Sequence, residues 1–291
     1  MVDPLIEPAE LARQLAGDRP PILLDVRWQL GQPRAQNYAD YLAGHLPDAA
    51  FLDLDSALSG PVSADGVGGR HPMPSTQTAS DGFRAAGVRH DYPVAIYDGS
   101  TSLAAARAWW LLQYFGHEDA RVLNGGYAAW IGADLPVASG SVQTPAGDVE
   151  LRPGHRRIVS AQDVLELTED PGSYLIDARA AERYRGEVEP IDPVAGHIPG
   201  ALNVATLAAL DPLGRFRSQH AVQQLASLGV DPDAPTTLYC GSGVQAMHLA
   251  LTLEAAQPAR RPPAVYVGSW SDWVSNASRP TRRGREASGR D

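Results

Sequence analysis

Short runs of apolar and β-branched residues recur along the chain, at residues 22–24, 95–97, 174–176, 237–239 and 264–267. None of them alternates with polar residues. That pattern predicts strands covered on both faces, as in a parallel sheet. The stretches 9–15, 104–114, 161–167 and 222–228 carry apolar residues at helical spacing and predict amphipathic helices. Strands and helices in alternation predict an α/β architecture of parallel sheets flanked by helices. Such sheets bind ligands beyond the carboxyl ends of their strands.

The pattern occurs twice. Ile22-Leu23-Leu24-Asp25-Val26-Arg27 is echoed by Tyr174-Leu175-Ile176-Asp177-Ala178-Arg179, and Gly44-His45-Leu46-Pro47 by Gly196-His197-Ile198-Pro199, both 152 positions later. Tyr97-Asp98-Gly99-Ser100 is echoed by Tyr239-Cys240-Gly241-Ser242 at 142 positions, and Gly125-Gly126-Tyr127-Ala128-Ala129-Trp130 by Gly268-Ser269-Trp270-Ser271-Asp272-Trp273 at 143. Ordered matches with a small change of spacing describe two homologous halves whose loops differ in length.

A length of 291 residues fits two domains. The first spans 1–138 and the second 156–280. Between them, 139–155 begins with a small, polar, unpatterned stretch and reads as a linker. Residues 281–291 lack an apolar anchor and read as a flexible tail. With 24 basic against 34 acidic residues, the net charge of -10 excludes a nucleic-acid backbone as the main partner. No apolar run approaches the roughly 18 residues of a membrane span. The first residues lack a signal-peptide pattern, so a cytoplasmic location is expected. All 24 basic residues are arginine, which removes Schiff-base lysine chemistry. The single cysteine, Cys240, excludes an intramolecular disulfide and a multi-cysteine metal site. No metal or other cofactor is expected.

Cys240 follows the strand at 237–239 and precedes Gly241-Ser242-Gly243-Val244-Gln245, where a helical pattern begins. Glycines let such a loop fold tightly with its amides facing inward, and the next helix adds its positive end. That environment favours a thiolate nucleophile over a buried, inert thiol. Three other motifs fail on named residues. A dinucleotide fingerprint at Gly241-Ser242-Gly243 needs an acidic residue about 20 positions on, where Arg260-Arg261-Pro262 stands. A cysteine phosphatase needs arginine at the place of Ala246. A serine-hydrolase elbow around Ser242 needs glycines where Cys240 and Val244 stand.

With these residues the chain resembles the tandem-domain rhodanese and 3-mercaptopyruvate sulfurtransferase family over about residues 5–280. The marks are the double Asp-x-Arg, the double Gly-His-Leu/Ile-Pro, the Gly-Gly-Tyr-x-x-Trp and Gly-Ser-Trp-x-x-Trp pair, and Cys-Gly-Ser-Gly-Val. The resemblance implies a rhodanese-like fold in each half, with an inactive first domain and a catalytic second. Asp98 at the first half's cysteine position fits this. The implied reaction takes a sulfane sulfur from a small anionic donor onto Cys240 as a persulfide, then passes it to an external acceptor. With no second cysteine to resolve the persulfide, the acceptor is cyanide, a thiol or a protein. The alternative is a module that carries or senses sulfur for a protein partner without turnover.

The resemblance also implies site residues. Cys240 is the nucleophile, and the loop of Gly241, Gly243, Val244 and Gln245 receives the donor. Gln245 stands in place of the family's usual threonine. Arg183 matches an arginine that grips the donor's anionic group. A second arginine, nine residues on, is replaced by Asp192, and Arg185 is the candidate substitute. Ser242, His71 and Asp55 match a set that relays a proton to the leaving fragment. His45, His197 and the Asp25/Arg27 and Asp177/Arg179 pairs read as structural. The neutral loop points to 3-mercaptopyruvate, whereas Asp192 tips the expected preference slightly to thiosulfate. On that reading Asp192→Arg gains mercaptopyruvate activity.

Overall fold

The computed structural model describes residues 3–170, 172–257 and 261–285. The chain divides into two compact units. One comprises Met1–Gly60, Pro74–His155 and Leu210–Phe216, the other Pro61–Met73, Arg156–Ala209 and Arg217–Asp291. The division therefore differs from a single cut at the linker. Pro61–Met73 precedes the linker in sequence yet packs in the second unit, and Leu210–Phe216 does the reverse.

The first unit runs β1 (Leu5–Ile6), α1 (Pro8–Leu15), β2 (Ile22–Asp25), α2 (Arg34–Ala43), β3 (Ala50–Phe51), α3 (Leu54–Ala57), α4 (Thr76–Ala85), β4 (Val94–Tyr97), α5 (Leu103–Tyr114), β5 (Ala120–Leu123) and α6 (Gly126–Gly132). Its five strands are all parallel, in the order β1-β5-β4-β2-β3. Every residue of β4 is buried, as expected of a central strand with both faces covered.

The second unit runs α7 (Ala161–Glu169), β6 (Tyr174–Asp177), α8 (Ala181–Tyr184), β7 (Leu202–Asn203), a 3₁₀ turn (Thr206–Ala209), α9 (Ser218–Ser227), β8 (Thr236–Tyr239), α10 (Val244–Ala256), β9 (Ala264–Val265) and α11 (Ser269–Trp273). Its four strands are parallel in the order β7-β6-β8-β9. A single parallel bridge between Ile158 and Val265 stands where β1 stands in the first sheet. Ser160 and Asp163 form a reciprocal cap at the start of α7. Leu175, Tyr239, Tyr266, Trp270 and Trp273 meet in one buried cluster.

The strand starts agree with the apolar runs to within a residue. The run at 264–267 keeps just two ladder residues before the chain turns into α11. The prediction of amphipathic helices holds for α1 and fails for 104–114. Ala104 to Leu112 are all buried, so α5 is a core helix apolar on nearly every face. Four alanines there keep its girth small. The tail also differs from its expected form over 281–285. Arg282 exchanges backbone hydrogen bonds with His197, and the Gly284 N–H donates to Arg185. Residues 286–291 lie outside the described residues.

Candidate active site

Cys240 sits one residue past β8, at the carboxyl end of a central strand, and is 1% exposed. The loop after it is held from outside. The Trp270 N–H donates to the Cys240 carbonyl at 2.9 Å, and the Ser271 N–H to the Gly241 carbonyl at 3.0 Å. Both carbonyls thus turn toward the start of α11. On the sulfur side the Gly243 N–H points at Cys240 Sγ, 3.1 Å away. Gly243 has φ of +88°, a left-handed conformation that favours glycine and lets the loop enter α10 at once. Ser269 Oγ accepts the Cys240 N–H at 3.1 Å and donates to the Tyr266 carbonyl at 2.9 Å. The arrangement sets the Gly243 amide and the positive end of a long helix beside the sulfur, suited to stabilising charge there.

His71 reaches this loop from Pro61–Met73. Its Nδ1 is 2.8 Å from Ser242 Oγ, and both residues are buried. Val244 is the buried first residue of α10, and Gln245 is half-buried beside it. Asp55 belongs to the first unit, on the short helix α3. There burial, followed by the charge of Asp53, raises its pKa above the usual carboxylate range.

Arginines and acids surround the loop. Arg183 Nη2 donates to Glu189 Oε1 at 2.6 Å and to Asp192 Oδ2 at 3.3 Å. Arg70 Nη1 pairs with Asp192 Oδ1. Arg179 is fully buried and forks onto Asp177, with Nη2 to Oδ2 at 2.6 Å. Burial works against the Glu189 charge, but the Arg183 hydrogen bond and two amides hold its pKa below the usual range. For Asp192 burial prevails over Arg70 and the pKa is raised. Arg185 is turned to Glu187, with Nε to Oε1 at 2.7 Å. The cations nearest Gly241 are Arg70 and Arg183.

Arg70, Glu189 and Ser269 were not picked out by sequence reasoning. Arg70 carried a signal, since it directly precedes His71, and Ser269 lies in the Gly-Ser-Trp motif. Glu189 lies in a proline-interrupted segment with no pattern of its own. His45 and His197 bond neighbouring carbonyls through Nδ1, at 2.8 Å in each case. Among the described residues no group of three or more His, Cys, Asp or Glu is placed to hold a metal ion. None of the described helices is long and apolar enough to cross a membrane.

The rhodanese-like domain family matches residues 7–133 and 160–276. The chain belongs to that family. Two bacterial relatives of this rhodanese-like chain are each 40% identical to it. "Putative thiosulfate sulfurtransferase SseB" of Mycobacterium tuberculosis aligns over 96% of this chain and 97% of its own length. "Probable 3-mercaptopyruvate sulfurtransferase" of Pseudomonas aeruginosa aligns over 94% and 97%. The crystal structure of SseA from Escherichia coli, described with the rhodanese fold of 3-mercaptopyruvate sulfotransferases, superposes with a TM-score of 0.79 at 32% identity. That match covers 92% of this rhodanese-like chain and 99% of SseA.

Proposed function

We propose that the chain is a sulfurtransferase that moves a sulfane sulfur from thiosulfate or 3-mercaptopyruvate, through a persulfide on Cys240, to an external acceptor. The carrying observation is the Gly243 N–H aimed at Cys240 Sγ at 3.1 Å, in a loop whose carbonyls are tied away. Relatives named for each donor at equal identity support both substrates.

In the first half-reaction the Cys240 thiolate attacks the donor's outer sulfur. A new S–S bond forms. The donor's S–S bond breaks and releases sulfite, or its C–S bond breaks and releases the enolate of pyruvate. The enolate needs a proton and sulfite does not, which gives the Ser242–His71 pair its role as proton carrier for 3-mercaptopyruvate. Arg183 grips the donor's oxyanion, and the loop of Gly241, Gly243, Val244 and Gln245 encloses it. In the second half-reaction an acceptor nucleophile attacks the outer persulfide sulfur and Cys240 leaves as thiolate. Cyanide becomes thiocyanate, and a thiol becomes a persulfide. Reducing cytoplasm, where free thiols abound, is the setting we assign.

Intact mass after donor treatment tests this. One sulfur atom is expected on the native chain and none on Cys240→Ser, with turnover to cyanide lost in the variant. Retained turnover in Cys240→Ser overturns the covalent route. Stoichiometric loading without turnover marks a sulfur carrier instead.

A further inference from the structure

Ser271 touches two segments that meet again at the proton carrier. Its backbone N–H donates to the Gly241 carbonyl at 3.0 Å. Its Oγ accepts the Arg70 N–H at 3.1 Å. Ser242 follows the first partner and His71 the second, and His71 Nδ1 lies 2.8 Å from Ser242 Oγ. We propose that the Ser271 hydroxyl is a positioning group for the reaction with 3-mercaptopyruvate: it sets His71 against Ser242 by fixing the main chain just before the histidine. The inference rests on the sulfur-transfer reading above.

The contacts close a ring. From the Ser271 N–H the path runs to the Gly241 carbonyl, across one peptide bond to Ser242, and through the side-chain contact to His71. It returns along the main chain to Arg70, whose N–H reaches Ser271 Oγ. Three polar contacts and two short main-chain steps thus join three segments of the chain. Peptide units are planar and stiff, so the placement of His71 on Ser242 follows from the other two contacts. Of the three links, the one between Arg70 and Ser271 Oγ can be removed without altering Ser242, His71 or the cysteine loop.

The segment before His71 is seated to match. The Gly68 N–H donates to Asp272 Oδ1 at 2.9 Å, and Asp272 Oδ2 accepts the Tyr266 hydroxyl. Gly69, with φ of +77°, lies so close to α11 that a methyl group on its Cα would overlap the Gly268 carbonyl and come within 2.7 Å of Ser271 Oγ. Two neighbouring residues of α11 therefore take two amides of the segment, Asp272 that of Gly68 and Ser271 that of Arg70. Ser271 Oγ also donates to the Gly268 carbonyl at 3.2 Å, which spends its proton and leaves a lone pair for Arg70. His71 is buried, so its ring depends on this seating for its place, and small misplacements of a reacting group are costly. Ser271 acts through His71.

Full-length Ser271→Ala isolates the link, because alanine keeps the N–H that holds Gly241 and loses only the hydroxyl. With cyanide as acceptor, kcat for 3-mercaptopyruvate is expected to fall about three- to tenfold, the worth of one hydrogen bond, and kcat for thiosulfate to stay within about twofold. Ser271→Thr, which restores a hydroxyl, should recover the native ratio of the two donors. In a His71→Ala background, Ser271→Ala should cost less than about twofold more, as expected of two residues that act as one unit. No change with either donor overturns the assignment. So does an equal fall with both donors, or the full loss again in the His71→Ala background, since either marks a residue that only props the cysteine loop. A second readout needs no turnover. In magnetic resonance spectra of the chain carrying isotope-labelled histidine, the His71 ring signals are identified by their absence in His71→Ala. Ser271→Ala is expected to shift them and to leave those of His197 in place. Unmoved His71 signals overturn the proposal. If the native chain takes no sulfur from either donor, the sulfur-transfer reading falls, and the spectra still decide whether Ser271 places His71.

Discussion

Asp98 in the first unit occupies the position that Cys240 holds in the second. Each lies one residue beyond a central strand whose last residue pairs with an aspartate, Tyr97 with Asp25 and Tyr239 with Asp177. Each faces the start of the following helix. The Asp98 carboxylate accepts the N–H groups of Ser100, Ser102 and Ala104 at 3.1, 2.8 and 3.1 Å. The first unit fills with a fixed carboxyl group the place that the Cys240 side chain takes in the second.

That burial has a pH signature. Desolvation outweighs the amide donors and raises the Asp98 pKa above the usual carboxylate range. The folded chain then binds this proton more tightly than the unfolded chain. The contribution of Asp98 to stability therefore grows as pH falls from its folded pKa toward an unfolded value of about 3.9, by at most about 1.4 kcal/mol per pH unit. Urea unfolding of the native chain and Asp98→Asn at pH 7 and pH 4 should show the gap moving in favour of the native chain on acidification. A flat gap would contradict the sign.

On the proposed relay, removing His71 or Ser242 should separate the donors. His71→Ala and Ser242→Ala are expected to cut kcat with 3-mercaptopyruvate by about 10²-fold or more, the range for a positioned acid or base, and to affect thiosulfate far less. Steady-state rates with both donors and cyanide check this. Equal losses would assign His71 and Ser242 to loop structure.

The substitution Asp192→Arg looks from sequence like a way to restore a missing cation. The structure reverses the expectation, because Asp192 joins Arg70 to Arg183. A third guanidinium there would repel both and undo their placement. Turnover is expected to fall with either donor, read as kcat/KM.

A fragment cut at residue 156 omits Pro61–Met73, which packs in the second unit and carries Arg70 and His71. Expressed alone, 156–291 is expected to melt below the full chain and to lack turnover. A stable, fully active fragment would show that the earlier residues add no catalytic group.

Much of this was legible in the sequence, for definable reasons. Residues 237–239 announce a buried strand because β-branched Thr237 leads into Leu238 and Tyr239 with no charged residue among them, and the glycines after Cys240 mark a tight turn at its end. The matched Asp-x-Arg pairs reveal the duplication because buried fork contacts constrain both partners. The Arg70–Asp192 pair was not legible, since 122 positions separate two charged residues that solvent could equally have claimed. Helix 104–114 was misread because alanine carries little apolar weight, so a helix buried on every side resembles an amphipathic one.

The two hydrogen bonds from Trp270 and Ser271 to the loop carbonyls have a consequence for the catalytic cycle. On the proposed route sulfur arrives and departs, and charge on Cys240 appears and vanishes, while the main chain around it is pinned to a second helix. The dipoles that meet each charge are already aligned before it forms, so little reorganisation is needed in either half-reaction. The cradle stays still, and the motion in the cycle belongs to the small molecules that enter and leave it.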